Sequence, residues 1–493
     1  MKYLVSGKEM KTWEKQAMEN YKIPSILLME RAAMAVVEEL VSGAYDLHKV
    51  LIACGTGNNG SDGLAVARLL RTRGICVEVC IAGALERLSA EAKQQLEMYQ
   101  AISGKFVTAP AFCEYTVMVD AIFGIGCNRE ISGIAAEVIR QMNAQNVPIV
   151  AIDIPSGISA DSGKVCGVAI KADVTVTFFT EKLGMLLYPG IDYCGKILVT
   201  DLGIPFTECE TCRIITYQDE DLKKLPDRNG NSHKGTYGKV LVIAGSPSIC
   251  GAAYMAGAAA YRMGAGLVKI YTPKENQAAL QMLLPEALLE IYDRSRPSLK
   301  NLKECMEWAD VIVAGPGFGK DRMAEKLLKY VIFKSEVPIV ADADGLNILS
   351  EHMEWILEAK VPMIMTPHIQ EMSRLTGDTK VDIKTKITET ASTFVEKYPV
   401  ILVLKDARTI VAKAEERTYL NTSGNSGMAT GGSGDVLAGM IGGLAAQGLE
   451  LLEAARLGVY VHGRAGDYAA VKKGEYSMTA TDILDGIAEV TRE

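Results

Sequence analysis

The residues of this chain best suited to chemistry fall in two groups. The first is the run from Asn425 to Gly443, NSGMATGGSGDVLAGMIGG. Its glycine-rich part, Gly431-Gly432-Ser433-Gly434-Asp435, feeds a segment in which Val436, Leu437, Met440, Ile441 and Leu444 recur at helical spacing. A backbone without Cβ atoms approaches a ligand closely, and the first N–H groups of the helix point outward at the positive end of its dipole. That is an anion site, suited to phosphate. Asp435 is out of place in a mere phosphate cradle, because its charge repels the ligand. A carboxylate there reads as a proton acceptor beside a transferring group. The plainer alternative is a glycine-rich turn with Asp435 as a helix cap.

The second group begins at Gly55-Thr56-Gly57-Asn58-Asn59-Gly60, which satisfies GxGxxG between an apolar run and a helical one, with Glu78 at a ribose-binding distance. That pattern alone points to a dinucleotide-binding dehydrogenase. Asn58, Asn59 and Asp62 argue otherwise, placing polar and acidic groups where a dinucleotide needs close backbone approach. The Asn59 amide, Asp120 and Ser156 offer oxygen donors suited to a hard cation. The alternatives are that Asn59 is a turn residue and Asp120 a helix cap.

Regular elements must position both groups. A helical pattern runs from Met10 to Leu40, broken at Pro24, with Met10, Trp13, Ala17 and Met18 on one face. The strand KVLIACG (Lys49–Gly55) leads into the GTGNNGSDG loop, the helix LAVARLLRTRG and the strand ICVEVCIAG. A helix near Ser89–Gln100, the strand Thr116–Asp120, a helix near Ile134–Asn143 and the strand Val147–Asp153 continue the alternation, and ADVTVTFF and KILVTDLG read as further strands. This alternation predicts α/β architecture: a parallel sheet with helices on both faces and ligands beyond the carboxyl ends of its strands. Asp120, Asp153 and the Asn58–Asp62 loop all fall at such ends. Periodicity fades between Thr207 and Asn231, which divides the chain into domains of residues 1–216 and 217–493. Beyond it come HKGTYGKVLVIAGS, the small-residue helix AAYMAGAAAYRMG, and strand–helix units at ADVIVAGPG, VPIVADADG, VPMIMTPH and VILVLK. These predict a second parallel-sheet domain.

Composition narrows the function. At 493 residues the chain is too long for one ordinary core. A net charge of −8, with no basic cluster, argues against nucleic-acid binding. The eleven scattered cysteines suit free thiols in a reducing cytosol. Cys209 and Cys212 form a lone CxxC with no partner pair for zinc. MKYLVSGKEM lacks the apolar core of a signal peptide and no apolar run reaches membrane-spanning length, so a cytoplasmic protein without a membrane partner is expected. No Walker lysine motif is present.

In the first half, GxGNNGxDGxxxAR, VDAIFGIG and AIDIPSG occur in order and resemble the epimerase domain of the NAD(P)H-hydrate repair enzymes, over about Lys8 to Pro205. The resemblance implies a Rossmann-like domain in which Asn58, Asn59, Gly60, Ser61 and Asp62, together with Gly124, Ile125, Gly126, Cys127, Asn128, Arg129 and Glu130, hold the damaged cofactor. It also implies potassium on Asn59, Asp120 and Ser156, with Asp153 as acid/base. Ser61 stands where that family usually has a second glycine. In the second half, HKGxxGxVLVIAGS, AGPG, TPHxxE, VLK and NxGMATGGSGDVLAG resemble the ADP-dependent NAD(P)H-hydrate dehydratase domain, which is ribokinase-like, from about Asp227 onward. This resemblance implies that Lys405, Asp406, Ala407, Arg408, Thr409 and Gly434 contact the adenine nucleotide. It also implies that Ala252, Gly317, His368 and Asp435 line the hydrate site, and magnesium is expected to accompany ADP as phosphoryl donor. Ile369, Gln370, Asp406 and Ser423 depart from the usual pattern, and Asp406 puts an acid beside the nucleotide. Together the two resemblances imply repair of NADH and NADPH hydrates, with R and S forms interconverted and the S form dehydrated as ADP becomes AMP and phosphate; a homo-oligomer is expected. The rival readings are a ribokinase-like small-molecule kinase fused to a Rossmann-like binding domain, and a non-enzymatic binding module.

Overall fold

The computed structural model describes residues 1–204, 212–295 and 298–492. Cys209, the Pro205 limit of the first resemblance and the start of the junction at Thr207 lie outside the described residues. The chain divides into two compact units, Tyr3–Arg213 and Met1–Lys2 with Ile214–Glu493. Among the described residues, no helix is long and apolar enough to cross a membrane.

In the first unit, strands such as VLIAC and IVAI are apolar at consecutive positions and buried on both faces, as a helix-covered parallel sheet requires. The sheet runs Lys105–Phe106, Val77–Ile81, Val50–Cys54, Val117–Ala121, Ile149–Ile152, Val174–Phe178, Lys196–Thr200. Every pairing is parallel. Chain order reverses between Val50–Cys54 and Val117–Ala121, which opens a crevice at their carboxyl ends. The expected break at Pro24 separates the helices Gly7–Tyr21 and Ser25–Ser42. The helix Asn58–Thr72 starts earlier than its apolar pattern, so Asn58–Asp62 is its first turn rather than a loop. A Cβ on Gly60 would lie 2.0 Å from the Gly55 carbonyl oxygen, so only glycine lets the helix start this close to the strand end. Glu78 is not a ribose ligand. It is buried within its strand, accepts a hydrogen bond from Tyr115 Oη at 2.6 Å and pairs with Lys105 and Lys49.

The sheet of the second unit includes, in order, Ile214–Thr216, Thr418–Leu420, Ile410–Ala412, Val400–Leu404, Met363–Met365, Ile339–Ala341, Val311–Ala314, Lys239–Ile243, Leu267–Pro273 and Leu288–Tyr292. Ile410–Ala412 is antiparallel to both neighbours, an arrangement absent from the strand–helix reading because these strands are too short to show a pattern. Ile214–Thr216, assigned from sequence to the first domain, pairs with Thr418–Leu420 in this sheet. Here chain order reverses between Lys239–Ile243 and Val311–Ala314. The helix Ser433–Ala446 buries Val436, Leu437, Met440, Ile441 and Leu444 and packs on Gly251–Arg262 so closely that a Cβ on Gly439 would meet the Ala256 carbonyl oxygen at 2.1 Å.

Candidate active sites

The crevice of the first unit holds a cavity of about 520 Å³ lined by Asn58, Asn59, Asp62, residues 122–127 and Asp153. The helix start and the following loop meet where Gly124 faces Asn59, 3.4 Å from a Cβ built on the glycine. Asp153 follows the strand Ile149–Ile152 with φ +68°, a left-handed conformation costly for a non-glycine residue. Its Oδ1 pairs with Lys182 Nζ at 2.5 Å. Lys182 is 1% exposed and also donates to Thr177 Oγ1 and the Phe178 carbonyl oxygen, at 2.7 and 3.1 Å. Burial, then the Asp153 and Glu14 charges, push the Asp62 carboxyl well above its ordinary value.

Asp120 and Ser156 lie behind the cavity wall, fully buried. Asp120 accepts from Ser156 N at 2.7 Å, Ser156 Oγ at 2.6 Å and Ile122 N at 3.1 Å, and burial lifts its pKa to about 6 against these bonds. Asp120 is thus no helix cap. The buried Asn59 Nδ2 has no hydrogen-bond partner. Of the expected ligand-holding residues, Gly60, Ser61, Asn128, Arg129 and Glu130 do not line the cavity: the first two are packed inside the helix, the last three exposed. Sequence reasoning missed Glu14, Lys11 and Lys182. Lys11, Glu14 and Met18 are spaced for one helical face and line the cavity. An acid adjoining the buried Trp13 was the available signal.

In the second unit, three neighbouring strands end at one spot. Asp342 follows Ile339–Ala341, Thr366 follows Met363–Met365 and Lys405 follows Val400–Leu404. Asp342 Oδ1 accepts from Lys405 Nζ and from Thr366 Oγ1, each at 2.7 Å. Burial opposes the Lys405 ammonium, but Asp342, Glu371 and Asp435 outweigh it and raise its pKa. A Cβ on Gly434 would lie 3.0 Å from Lys405 Nζ, so the ammonium abuts the first turn of the helix Ser433–Ala446. That helix is capped by Gly432 (φ +93°) with no side-chain bond. Asp435 is therefore not the cap. It has no hydrogen-bond partner among the described residues, and burial followed by the Asp342 charge raises its pKa to about 7.

His368 does cap a helix: its Nδ1 accepts from the N–H groups of Gln370 and Glu371 at 3.0 and 3.2 Å, while its Nε2 lies 3.4 Å from Glu371 Oε1. Burial chiefly raises Glu371 to about 7. Gly317, at φ +64°, faces Ala252, with 3.0 Å between Cβ positions, at the crevice beside Gly245. Lys405, Asp406, Ala407, Arg408 and Thr409 form the connection to Ile410–Ala412; Asp406 lies 3.7 Å from Lys384 Nζ, and Arg408 donates to the Thr422 carbonyl oxygen. Asp342 and His462 were missed. The buried His462, its pKa lowered by burial to about 4, lies 3.0 Å from the Ser433 carbonyl oxygen and braces the glycine loop.

Residues 25–184 match the family model described as YjeF-related protein N-terminus, and residues 240–489 match NAD(P)H-hydrate dehydratase. A bifunctional NAD(P)H-hydrate repair enzyme of Moorella thermoacetica is 39% identical, over 99% of this chain and 97% of the relative. Its namesakes in Coxiella burnetii and Escherichia coli are 36% and 34% identical, over 98% and 94% of this chain and 98% and 89% of the relatives. Among solved structures, a ribokinase-like superfamily protein from Enterococcus faecalis is 28% identical with a TM-score of 0.52, covering 58% of this chain and 98% of its own. A hypothetical protein from Streptococcus mutans is 32% identical with a TM-score of 0.51, covering 56% and 99%. With a crevice in each unit and relatives matched along almost their full length, this chain belongs to the family of bifunctional NAD(P)H-hydrate repair enzymes.

Proposed function

We propose that the chain interconverts the R and S hydrates of NADH and NADPH at the Asp153 cavity and dehydrates the S form beside Asp435, with ADP converted to AMP and phosphate. The observation that carries this reading is Asp435 itself, an unbonded carboxylate on the first turn of an anion-binding helix with the Lys405 ammonium alongside. Hydroxide leaves poorly from C6 of the hydrated ring, so the hydroxyl is first made a phosphate ester. Asp435 accepts the hydroxyl proton as the oxygen attacks the terminal phosphorus of ADP, and AMP departs. The glycine-loop N–H groups and Lys405 stabilise the phosphoryl oxygens. Cleavage of the C6–O bond then releases phosphate, and loss of a ring proton restores the double bond.

Among the described residues, no cluster of three or more His, Cys, Asp or Glu is arranged to hold a metal. Magnesium therefore fits this site as an ion carried mainly by nucleotide phosphates and water, its charge neutralising the phosphates. Potassium on Asn59, Asp120 and Ser156 is supported by two features. Asp120 is a buried carboxyl whose hydrogen-bond donors, Ile122 N, Ser156 N and Ser156 Oγ, are all neutral. The Asn59 Nδ2 is buried without a partner, and exchanging the two ends of this amide would put an unanswered oxygen in its place. Ala252, Gly317 and His368 complete the hydrate site in this reading, and residues 405–409 with Gly434 the nucleotide site. The activities belong to residues 1–216 and 217–493. Among the described residues nine cysteines are free thiols, which supports a reducing, cytoplasmic location, although Cys212 is disulfide-bonded, contrary to the expectation of free thiols throughout; a net charge of −8 supports an enzyme without nucleic-acid or membrane partners. The proposal extends to a homo-oligomer, which the mass of the protein in solution would test. The test is to incubate mixed hydrate epimers with and without ADP. Absorbance of the reduced nicotinamide should recover only with ADP, with one AMP per cofactor restored. A stable phosphorylated product would favour a small-molecule kinase instead.

A further inference from the structure

Glu14 stands on a helix held firmly in place. Ser6 and Glu9 form a capping box at its start, the Gly7 N–H donates to Asp161 Oδ1 at 2.7 Å, and Met10, Trp13 and Ala17 are buried. The Trp13 ring packs edge-on against Phe179, with 4.7 Å between centroids. This packing presents Glu14 to the cavity that Asp153, Asp62, Asn58 and Asn59 also line. Glu14 has no hydrogen-bond or ion-pair partner among the described residues. Asp153 differs: it carries an ion pair to a lysine with no other freedom, at 2.5 Å. One cavity thus contains a carboxylate with its counter-charge and a largely buried carboxyl without one.

Resting on the epimerase reading, the geometry points to Glu14 as a second catalytic residue of that site, the acid that protonates the departing hydroxyl while Asp153 serves as the base. The step balances. Glu14 gives its proton to the C6 hydroxyl oxygen as the C6–O bond breaks, and the ring-nitrogen lone pair forms the N1=C6 bond. Water leaves. A water molecule then adds to the other face of C6, the N1=C6 pair returns to nitrogen, and Asp153 takes the proton from the adding water. The proton passes back from Asp153 to Glu14 through solvent when the product leaves, and the reverse epimerisation exchanges the two roles. The separation of roles follows from surroundings. Burial first, then the Asp153 charge, raises the Glu14 pKa to about 7, against Lys182 and Lys11. Asp62 is the other acid facing it.

The experiment follows interconversion of purified hydrate epimers without ADP, using the full chain across pH 5 to 9. The parent should lose rate as pH rises through about 7, where Glu14 gives up its proton. Glu14→Gln should be slower by about 100-fold and lack that limb. Glu14→Asp, which keeps a carboxyl one methylene shorter, should recover part of the rate and retain a limb. It also decides the matter if the Gln variant melts early. Equal losses in the Asp and Gln variants, or a Gln variant within about threefold of the parent with its limb intact, would overturn the assignment. So would loss of the limb in Asp62→Asn alone. A parent no faster than spontaneous interconversion would sink the epimerase reading as well. A parent slowed by Asp153→Asn but not by Glu14→Gln would sink only the role of Glu14.

Discussion

The two crevices use the same charge device and leave it in different states. In each, a carboxylate just beyond a strand end pairs with a lysine, Asp153 with the buried Lys182 at 2.5 Å and Asp342 with the partly buried Lys405 at 2.7 Å. Each also holds a non-glycine residue in the left-handed region beside that carboxylate, Asp153 itself at φ +68° and Ala343 at +51°. The lysines then diverge. Lys182 directs its donors to Asp153, Thr177 and the Phe178 carbonyl oxygen, so all three are used within the protein. Among the described residues the Lys405 ammonium has one hydrogen-bond partner, Asp342, and it faces Gly434 with donors to spare. A saturated ammonium fixes a carboxylate and sets the field of a cavity. An unsaturated one at a helix start can take hold of a phosphoryl group.

The largest effect expected from this comparison is at Asp435. Asp435→Asn keeps the size and removes the base, so dehydration should fall by about 100-fold or more while ADP binding and epimerisation persist. Assays of restored absorbance and of epimer ratio on one sample check both. The lysines should separate next. Lys405→Met should slow dehydration and weaken ADP, and because it leaves the 1% exposed Asp342 without its counter-charge it should lower the melting point as well. Lys182→Met leaves the Asp153 carboxylate without its counter-charge and should destabilise the first unit by about 3–5 kcal/mol, seen in denaturant melts. A similar loss of ADP affinity from both substitutions would break the comparison.

A pH profile sharpens it. Asp435 works as a base, so dehydration should fall as pH drops through about 7. Stability runs the other way. The folded chain keeps a proton on Asp435 that the unfolded chain releases near its ordinary value of 3.8, so this contribution is present below that value and lost as pH rises through about 7. Asp435→Asn should therefore melt later than the parent at pH 8, with the gap closing at low pH. The smallest effect belongs to Asp406. Its acid lies 3.7 Å from Lys384 on a partly exposed surface, so Asp406→Gly should change the ADP KM by less than about threefold.

Much of this was legible in the sequence because it is local. The apolar strands, the break at Pro24 and the glycine-rich helix start are each written in a few consecutive residues. Asp435 was readable because an acid among glycines is chemically odd. What escaped depends on contacts between distant segments. Lys182 lies beyond the strand Val174–Phe178, and nothing nearby in sequence shows that it reaches Asp153. Asp342 belongs to a strand-end row that appears only once three strands are laid side by side. Glu78 misled in the opposite sense, since its spacing fits a ribose acid while Tyr115 and Lys105 tie it inside the sheet. The short strands Thr418–Leu420 and Ile410–Ala412 carry too few residues for period to register.

Service of one damaged pool by two separate sites in sequence is tested by starting from pure R hydrate with ADP. The parent should pass R through S to the reduced cofactor. Asp153→Asn should leave R largely unchanged yet dehydrate added S at the parental rate. Asp435→Asn should bring R and S to balance and restore nothing. Restoration by the Asp435 variant, or parental consumption of R by the Asp153 variant, would contradict the account.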